Sequence, residues 1–196
     1  MSQPLTPADI APGTAPQADL WKPVLLRALA ALVFGAVTVF WAGPSVQVMG
    51  ISGGLYLLAT GLLMLWGIPK TGYQRAGMPG KILSAAGSAL TGAGAALVLL
   101  HGDGVFGVVA ALGLGLAGAA ELYCGIRYRG RHVLARDWLA SGIIGLGTAA
   151  ILPFFISLGA HALLGVAGGG AIISGVLWVL SGLTLRHDAR PAAGKP

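Results

Sequence analysis

Long runs of apolar residues alternate with short polar stretches along the chain. Each run contains 18 to 24 residues, which is enough for a helix rising about 1.5 Å per residue to cross a hydrocarbon core of roughly 30 Å. Helices are also the only open-ended elements that satisfy their own backbone hydrogen bonds in lipid. The pattern therefore predicts an all-α membrane protein with six transmembrane helices, at about 24–41, 45–68, 82–100, 104–126, 138–158 and 162–185.

The connections between these runs are of two lengths. Residues 42–44, 101–103 and 159–161 form short turns, whereas 69–81 and 127–137 form longer loops. This alternation predicts three repeated helical hairpins, at about 22–78, 79–135 and 136–187, within a bundle of residues 22–186. The polar ends, 1–21 and 187–196, are predicted to be disordered cytoplasmic tails.

A spacing of 57 residues relates the three hairpins. In the second helices it aligns Thr60-Gly61, Ala117-Gly118 and Ser174-Gly175. In the first helices it aligns Ala28 with Ala85 and Gly142, and Gly35 with Gly92 and Ala149. Because every unit starts and ends on the same side, the repeats are predicted to be parallel, around an axis along the membrane normal.

Small residues also recur at every fourth position of the third and fourth helices. Helices in lipid associate through close backbone approach, so this stripe predicts that the central hairpin is the most tightly packed. The residues are Ser84, Ser88, Gly92 and Ala96, followed by Gly107, Ala111, Gly115 and Ala119. In the fifth helix, Pro153 removes a hydrogen bond and predicts a kink, which would serve either packing or gating.

The distribution of charge gives the orientation. All 12 Lys and Arg residues lie on one side of the predicted membrane, and the three short turns carry none. Positive charge near helix ends stays on the cytoplasmic side, so both termini of this multi-pass membrane protein are predicted to be cytoplasmic. The same rule accounts for the net charge of +6, and no nucleic-acid partner is expected. The expected partner is the lipid bilayer, and the sequence allows a homo-oligomer.

Several residues of the chain resemble the repeat of HdeD-type membrane proteins. They are Gly35, the turn Phe40-Trp41-Ala42-Gly43-Pro44, the stretch Gly54-Leu55-Tyr56-Leu57-Leu58-Ala59-Thr60-Gly61, and Arg136-Asp137-Trp138. The resemblance extends from about Trp21 to Arg186, although the family usually has an aromatic residue followed directly by Pro-Gly at the first turn. It implies an inner-membrane protein of three hairpins, linked to acid or general stress resistance, with no catalytic residues to carry over.

Two ionisable residues lie inside the predicted spans. Arg27 and Glu121 both fall within roughly 5 to 8 Å of the cytoplasmic boundary, at about 1.5 Å per residue. Intramembrane charges usually face the bundle and carry a partner, so one hypothesis is an ion pair that joins the first hairpin to the second. The alternative is that each side chain separately reaches the interface.

Other polar side chains define two further candidate sites. His101 and His161 lie beside short turns on the outer face, where they would serve as a pH-responsive pair or as ordinary interface residues. Arg127, Arg129, Arg131 and Arg136 form the densest basic loop, which either fixes the orientation alone or also binds anionic lipid head groups.

No catalytic, metal-binding or cofactor-binding pattern emerges. Gly113, Gly115 and Gly118 match a dinucleotide fingerprint but lie inside an apolar helix, where no free N–H groups face a phosphate. The sequence therefore predicts a non-enzymatic membrane protein without a cofactor. The alternative is a small transporter or channel with a path along the pseudo-threefold axis, which would need polar groups at mid-depth.

Overall fold

The starts of the helices follow from local sequence. Pro23 and Pro79 lie in the first turns of two helices, where the N–H that proline lacks would have no partner within the helix. At the start of a third helix, the Ser45 side chain accepts a hydrogen bond from the Val48 N–H at 3.2 Å. A computed structural model describes residues 19–73 and 76–189 of the chain. The helices are α1 (Trp21–Phe40), α2 (Val46–Gly67), α3 (Met78–Leu99), α4 (Asp103–Arg127), α5 (Ala135–Ile151) and α6 (Gly159–Asp188), with 3-10 segments at Ile68–Thr71 and Leu152–Leu158. The prediction of an all-α protein is confirmed for these residues.

Five continuous helical segments among the described residues are long and apolar enough to cross a membrane. The last of them, Ala135–Asp188, has 54 residues and joins α5, the 3-10 segment and α6. It is not straight, because Thr148 contacts Gly170, whereas 22 residues of one helix would hold these positions about 33 Å apart. The chain is an integral membrane protein that reverses direction within this segment.

Pro153 and Gly159 mark the reversal. Pro153 lies in the first turn of the 3-10 segment, where it lacks the N–H that would continue α5. Gly159 has a φ of +81°, a conformation that residues with a side chain rarely adopt. Pro153 therefore ends the regular α-helix, whereas the sequence predicted a kink within it.

The most extensive helix contacts join different predicted hairpins: α2 with α3, α4 with α5, and α6 with α1. Glycine makes each contact close. A Cβ at Gly142 would lie 2.8 Å from the Gly118 carbonyl oxygen, and one at Gly175 would lie 2.9 Å from the Leu32 side chain. The prediction that α3 and α4 form the tightest pair is wrong, because Gly107 of α4 packs on Ile156 and Leu163, and Gly115 packs on Ala149 of α5.

The 57-residue spacing describes the second helices well. Met49, Phe106 and Leu163 are related by it and are each at most 2% exposed. These three large side chains, one from each second helix, fill the interior at the end of the bundle opposite the basic loops. We call that end the outer end, and the end with the basic loops the inner end.

The spacing fails in α3. Val24, Leu83 and Trp138 line one cavity, at separations of 59 and 55 residues. The register of α3 is therefore shifted by two residues, so that Gly94 is the counterpart of Gly35. Gly92, which the sequence aligned with Gly35, has nothing within 4 Å of a Cβ position.

The helices also extend into the predicted tails. Leu20 is buried and α1 begins at Trp21, while α6 continues through His187 to Asp188. The predicted tail boundaries at 21 and 187 are wrong by one or two residues. The remaining tail residues, 1–18 and 190–196, lie outside the described part of the chain.

Candidate site: a polar cavity on the bundle axis

A small cavity of about 30 Å³ lies inside the bundle. In the second helices, the 57-residue spacing relates three residues that all line the cavity. In the first helices, the register with α3 shifted by two residues relates three further residues that line the cavity. They are Thr60, Ala117 and Ser174, and Ala31, Leu90 and Gly145. Six residues related by these two spacings therefore line one cavity, and we call the line through it along the bundle the axis.

Arg27 and Glu121 form an ion pair at this cavity. Glu121 is 1% exposed, and the Arg27 side chain is 15% exposed. The Ser141 hydroxyl donates a hydrogen bond of 2.5 Å to Glu121 Oε2, and the Arg27 Cζ lies 4.7 Å from the centroid of the Trp178 ring. One buried cluster thus connects α1, α4, α5 and α6.

The cluster balances its own charge. A carboxylate held away from water is stable only with a partner that supplies both opposite charge and hydrogen bonds. Arg27 supplies the charge and Ser141 supplies a hydrogen bond, while the Trp178 ring faces the cation. The structure thus brings together the two residues that the sequence placed at similar depth. It also adds Ser141 and Trp178, which the sequence analysis missed.

The 57-residue spacing of the sequence could have identified Trp178 as a residue of this site. Trp178 follows Glu121 by 57 residues, as Glu121 follows Met64. All three positions line an axial cavity. Ser141 had no such signal, because its position relative to Glu121 depends on the close contact between α4 and α5.

The ion pair lies between two differently lined cavities. Toward the inner end, a second cavity of about 50 Å³ shares Arg27 and Trp178 with the first and is otherwise lined mainly by apolar side chains. The first cavity also holds the Thr60 and Ser174 hydroxyls. Within the described residues, the buried Trp178 Nε1 has no hydrogen-bond partner. The axis therefore offers polar groups at mid-depth, and its outer end is filled by the apolar layer of Met49, Phe106 and Leu163.

The loop between α4 and α5 is anchored on the loop between α2 and α3 by His132. Its Nε2 lies 3.0 Å from the Thr71 carbonyl oxygen, and its Nδ1 accepts a hydrogen bond from the Leu134 N–H at 3.1 Å. Since Nδ1 accepts, the proton is on Nε2 and the ring is neutral. The ring also stacks on Tyr73 and Trp138, at centroid distances of 4.9 and 4.6 Å. Burial lowers the pKa of His132 from its ordinary value of 6.5, and the Thr71 hydrogen bond opposes part of this shift.

We predict that acid weakens this anchor. The unfolded chain takes up a proton near pH 6.5, whereas folded His132 does so only at lower pH, so stability falls as the pH drops below 6.5. Melting temperatures in detergent between pH 7.5 and 5 test this. His132→Phe, which keeps an aromatic ring, should melt lower at pH 7.5 but show a flatter pH dependence, and His187→Phe serves as the exposed control. Identical pH dependence of His132→Phe and the wild type would remove His132 as the cause.

The other predicted site residues lie apart from the axis. Arg127, Arg129, Arg131 and Arg136 are exposed at the inner end. His101 and His161 are exposed at the outer end, and His101 contacts Gly50 of α2. In the part of the chain that the structure describes, no three His, Cys, Asp or Glu side chains come close enough to hold a metal ion.

Comparisons with protein-family models, with curated proteins and with solved structures gave no match. The architecture and the axial cluster are therefore established from the geometry of this chain alone. That geometry is an all-helical membrane bundle with a buried ion pair where its repeats meet.

Proposed function

We propose that this chain crosses a bacterial plasma membrane six times, as three hairpins with both termini in the cytoplasm. The reversal at Gly159 supports this count, because it divides Ala135–Asp188 into two helical lengths that lie side by side. The cytoplasmic termini are supported by the exposed arginines of the α4–α5 loop, which share one end of the bundle with Lys22 and Arg186.

The role we propose is resistance to acid or general stress, without enzymatic activity, as in the HdeD-type proteins that the chain resembles. One observation supports the proposal: in an all-helical membrane bundle, three positions 57 residues apart line a common cavity, as the repeated hairpins implied by the resemblance would require. The close glycine contacts between hairpins and the apolar outer layer further suit a sealed scaffold in the membrane. The buried ionisable groups are already engaged with one another, which suits a structural role better than a catalytic one.

One complementation experiment tests location and role together. In a strain that depends on this protein, a chain with a fluorescent reporter at its C-terminus is expected to restore acid survival and to fluoresce, since the reporter folds in the cytoplasm. Replacing His101 and His161 by glutamine should reduce survival if these exposed imidazoles sense outside acid. Unchanged survival removes the sensing role. Loss of the protein without any effect on acid survival removes the stress-resistance proposal itself.

A small transporter is the second candidate. The observation that favours it is the axial cavity, which places Arg27, Glu121 and two hydroxyls where transporters hold coupling groups. Transport would require opening of the outer layer around Phe106. Acid-driven proton uptake into proteoliposomes, lost in Glu121→Gln, would favour this candidate over a sealed scaffold.

A further inference from the structure

A groove of about 380 Å³ opens between α3 and α4, in the inner half of the bundle. Its walls and floor consist mainly of alanines and end at one tyrosine. The residues that matter are Ala85, Ala86 and Ala89 on α3, and Ala119, Ala120 and Tyr123 on α4. Ala86 and Ala120, at 3% and 8% exposure, form the floor, and Ala85, Ala119 and Tyr123 are exposed along the rim. The result is a concave apolar surface that faces lipid.

The groove exists because each of the two helices packs more closely on another neighbour. Gly87 of α3 lies against Leu65 of α2, and Gly118 of α4 lies against Gly142 of α5. These contacts hold α3 and α4 on opposite sides of the space between them. Alanine methyl groups are too short to fill it.

Two cations lie one helical turn beyond residues that line the groove, toward its inner mouth. Lys81 precedes Ala85 by four residues, and Arg127 follows Tyr123 by four. Residues four apart share a helix face, so both side chains continue the stripes that line the groove. Both are exposed, one in the first turn of α3 and the other in the last turn of α4.

No acidic side chain of these two helices offsets the cations. α3 contains no Asp or Glu. In α4, Asp103 lies at the outer end, and Glu121 is turned to the axis, where it pairs with Arg27. The mouth of the groove is therefore positively charged, beside an apolar channel that begins at headgroup depth.

We propose that the groove binds one anionic phospholipid, with an acyl chain on the alanine floor and the phosphate between Lys81 and Arg127. The nine residues from Lys81 to Ala89 rise about 12 Å along the helix axis, a length that suits the upper part of an acyl chain. Charge complementarity selects the occupant, since basic residues near the membrane surface favour anionic over neutral lipid. The site needs only residence in a membrane, so it stands independently of the role in stress resistance.

Native mass spectrometry of the full chain, delipidated in detergent and given equal amounts of phosphatidylglycerol and phosphatidylcholine with identical chains, tests the proposal. The wild type should retain one phosphatidylglycerol with more than tenfold preference. Because each cation contributes about fivefold, Lys81→Gln with Arg127→Gln should abolish the preference. Arg129→Gln with Arg136→Gln, an equal loss of charge in the neighbouring loop, should preserve it. Equal losses in the two double variants would assign the lipid to the basic face in general and overturn the site.

A second pair of variants tests the apolar half of the site. Ala85→Phe with Ala119→Phe fills the groove from its exposed rim and should reduce retention of both lipids at least tenfold. Ala36→Phe with Ala150→Phe places the same rings on exposed positions of α1 and α5 and should leave retention unchanged. Elution as a single species in size-exclusion chromatography checks folding of each variant. Full retention by the filled groove would overturn the proposal.

Discussion

Replacing Arg27 by glutamate is expected to destabilise the folded bundle by at least about 3 kcal/mol, because breaking a buried ion pair leaves an uncompensated charge. The new carboxylate would stand beside Glu121, which is 1% exposed. It would also face the Trp178 ring, which now lies against the Arg27 guanidinium. Folded yield and melting temperature in detergent measure the effect.

The reverse change, Glu121→Arg, should be similarly damaging, because two guanidinium groups would then share the cavity. Combining the two substitutions restores opposite charges, so the double exchange should be more stable than either single variant. The stability of the double exchange should remain below that of the wild type, because a carboxylate replaces the cation over Trp178 and an arginine replaces the acceptor of the Ser141 hydrogen bond.

Arg136→Glu is the matched control. It makes the same change of charge at an exposed position of the inner end and should alter stability by no more than about 0.5 kcal/mol. The pair has no energetic role if the double exchange is no better than the worse of the two single variants. A loss in Arg136→Glu as large as that in Arg27→Glu would instead assign the effect to total positive charge.

Hydropathy alone located the long helices of the chain. The apolar runs agree with α1 to α4 within a few residues, because lipid imposes both length and helical structure on a span. The last reversal agrees as well, because the predicted turn at 159–161 begins at Gly159, where the chain turns back. An apolar count does not register the change from α-helix to 3-10 helix, because residues 152–158 remain apolar and the change depends on Pro153.

The sequence was weakest in predicting which helices are neighbours. The positions of Arg27 and Glu121 within the predicted spans placed both at the same depth in the membrane, but left open whether they face each other. The stripe from Ser84 to Ala96 suggested a tight central hairpin, yet Gly87 and Gly94 of α3 pack on α2, and nothing lies within 4 Å of a Cβ position at Gly92. Small residues occur on several helices of this chain, so the stripe identified a surface that can pack closely without identifying its partner.

Gly94→Leu is expected to force α2 and α3 apart. A Cβ at Gly94 would contact the Leu58 backbone nitrogen and lie 2.6 Å from the Gly54 carbonyl oxygen. Backbone atoms of a packed helix cannot rotate away as a side chain can, so the helices must separate. Even modest overpacking of a core costs about 1–3 kcal/mol, and a whole leucine side chain at this contact should exceed that range.

Gly92→Leu, two residues earlier on the same helix, is the matched control. A Cβ there has nothing within 4 Å and the residue is exposed, so the melting temperature in detergent should stay near that of the wild type. The comparison also decides the register of the repeats. Greater damage from Gly94→Leu supports Gly94 as the counterpart of Gly35, whereas greater damage from Gly92→Leu would restore the uniform 57-residue spacing and contradict the shifted packing of α3 on α2.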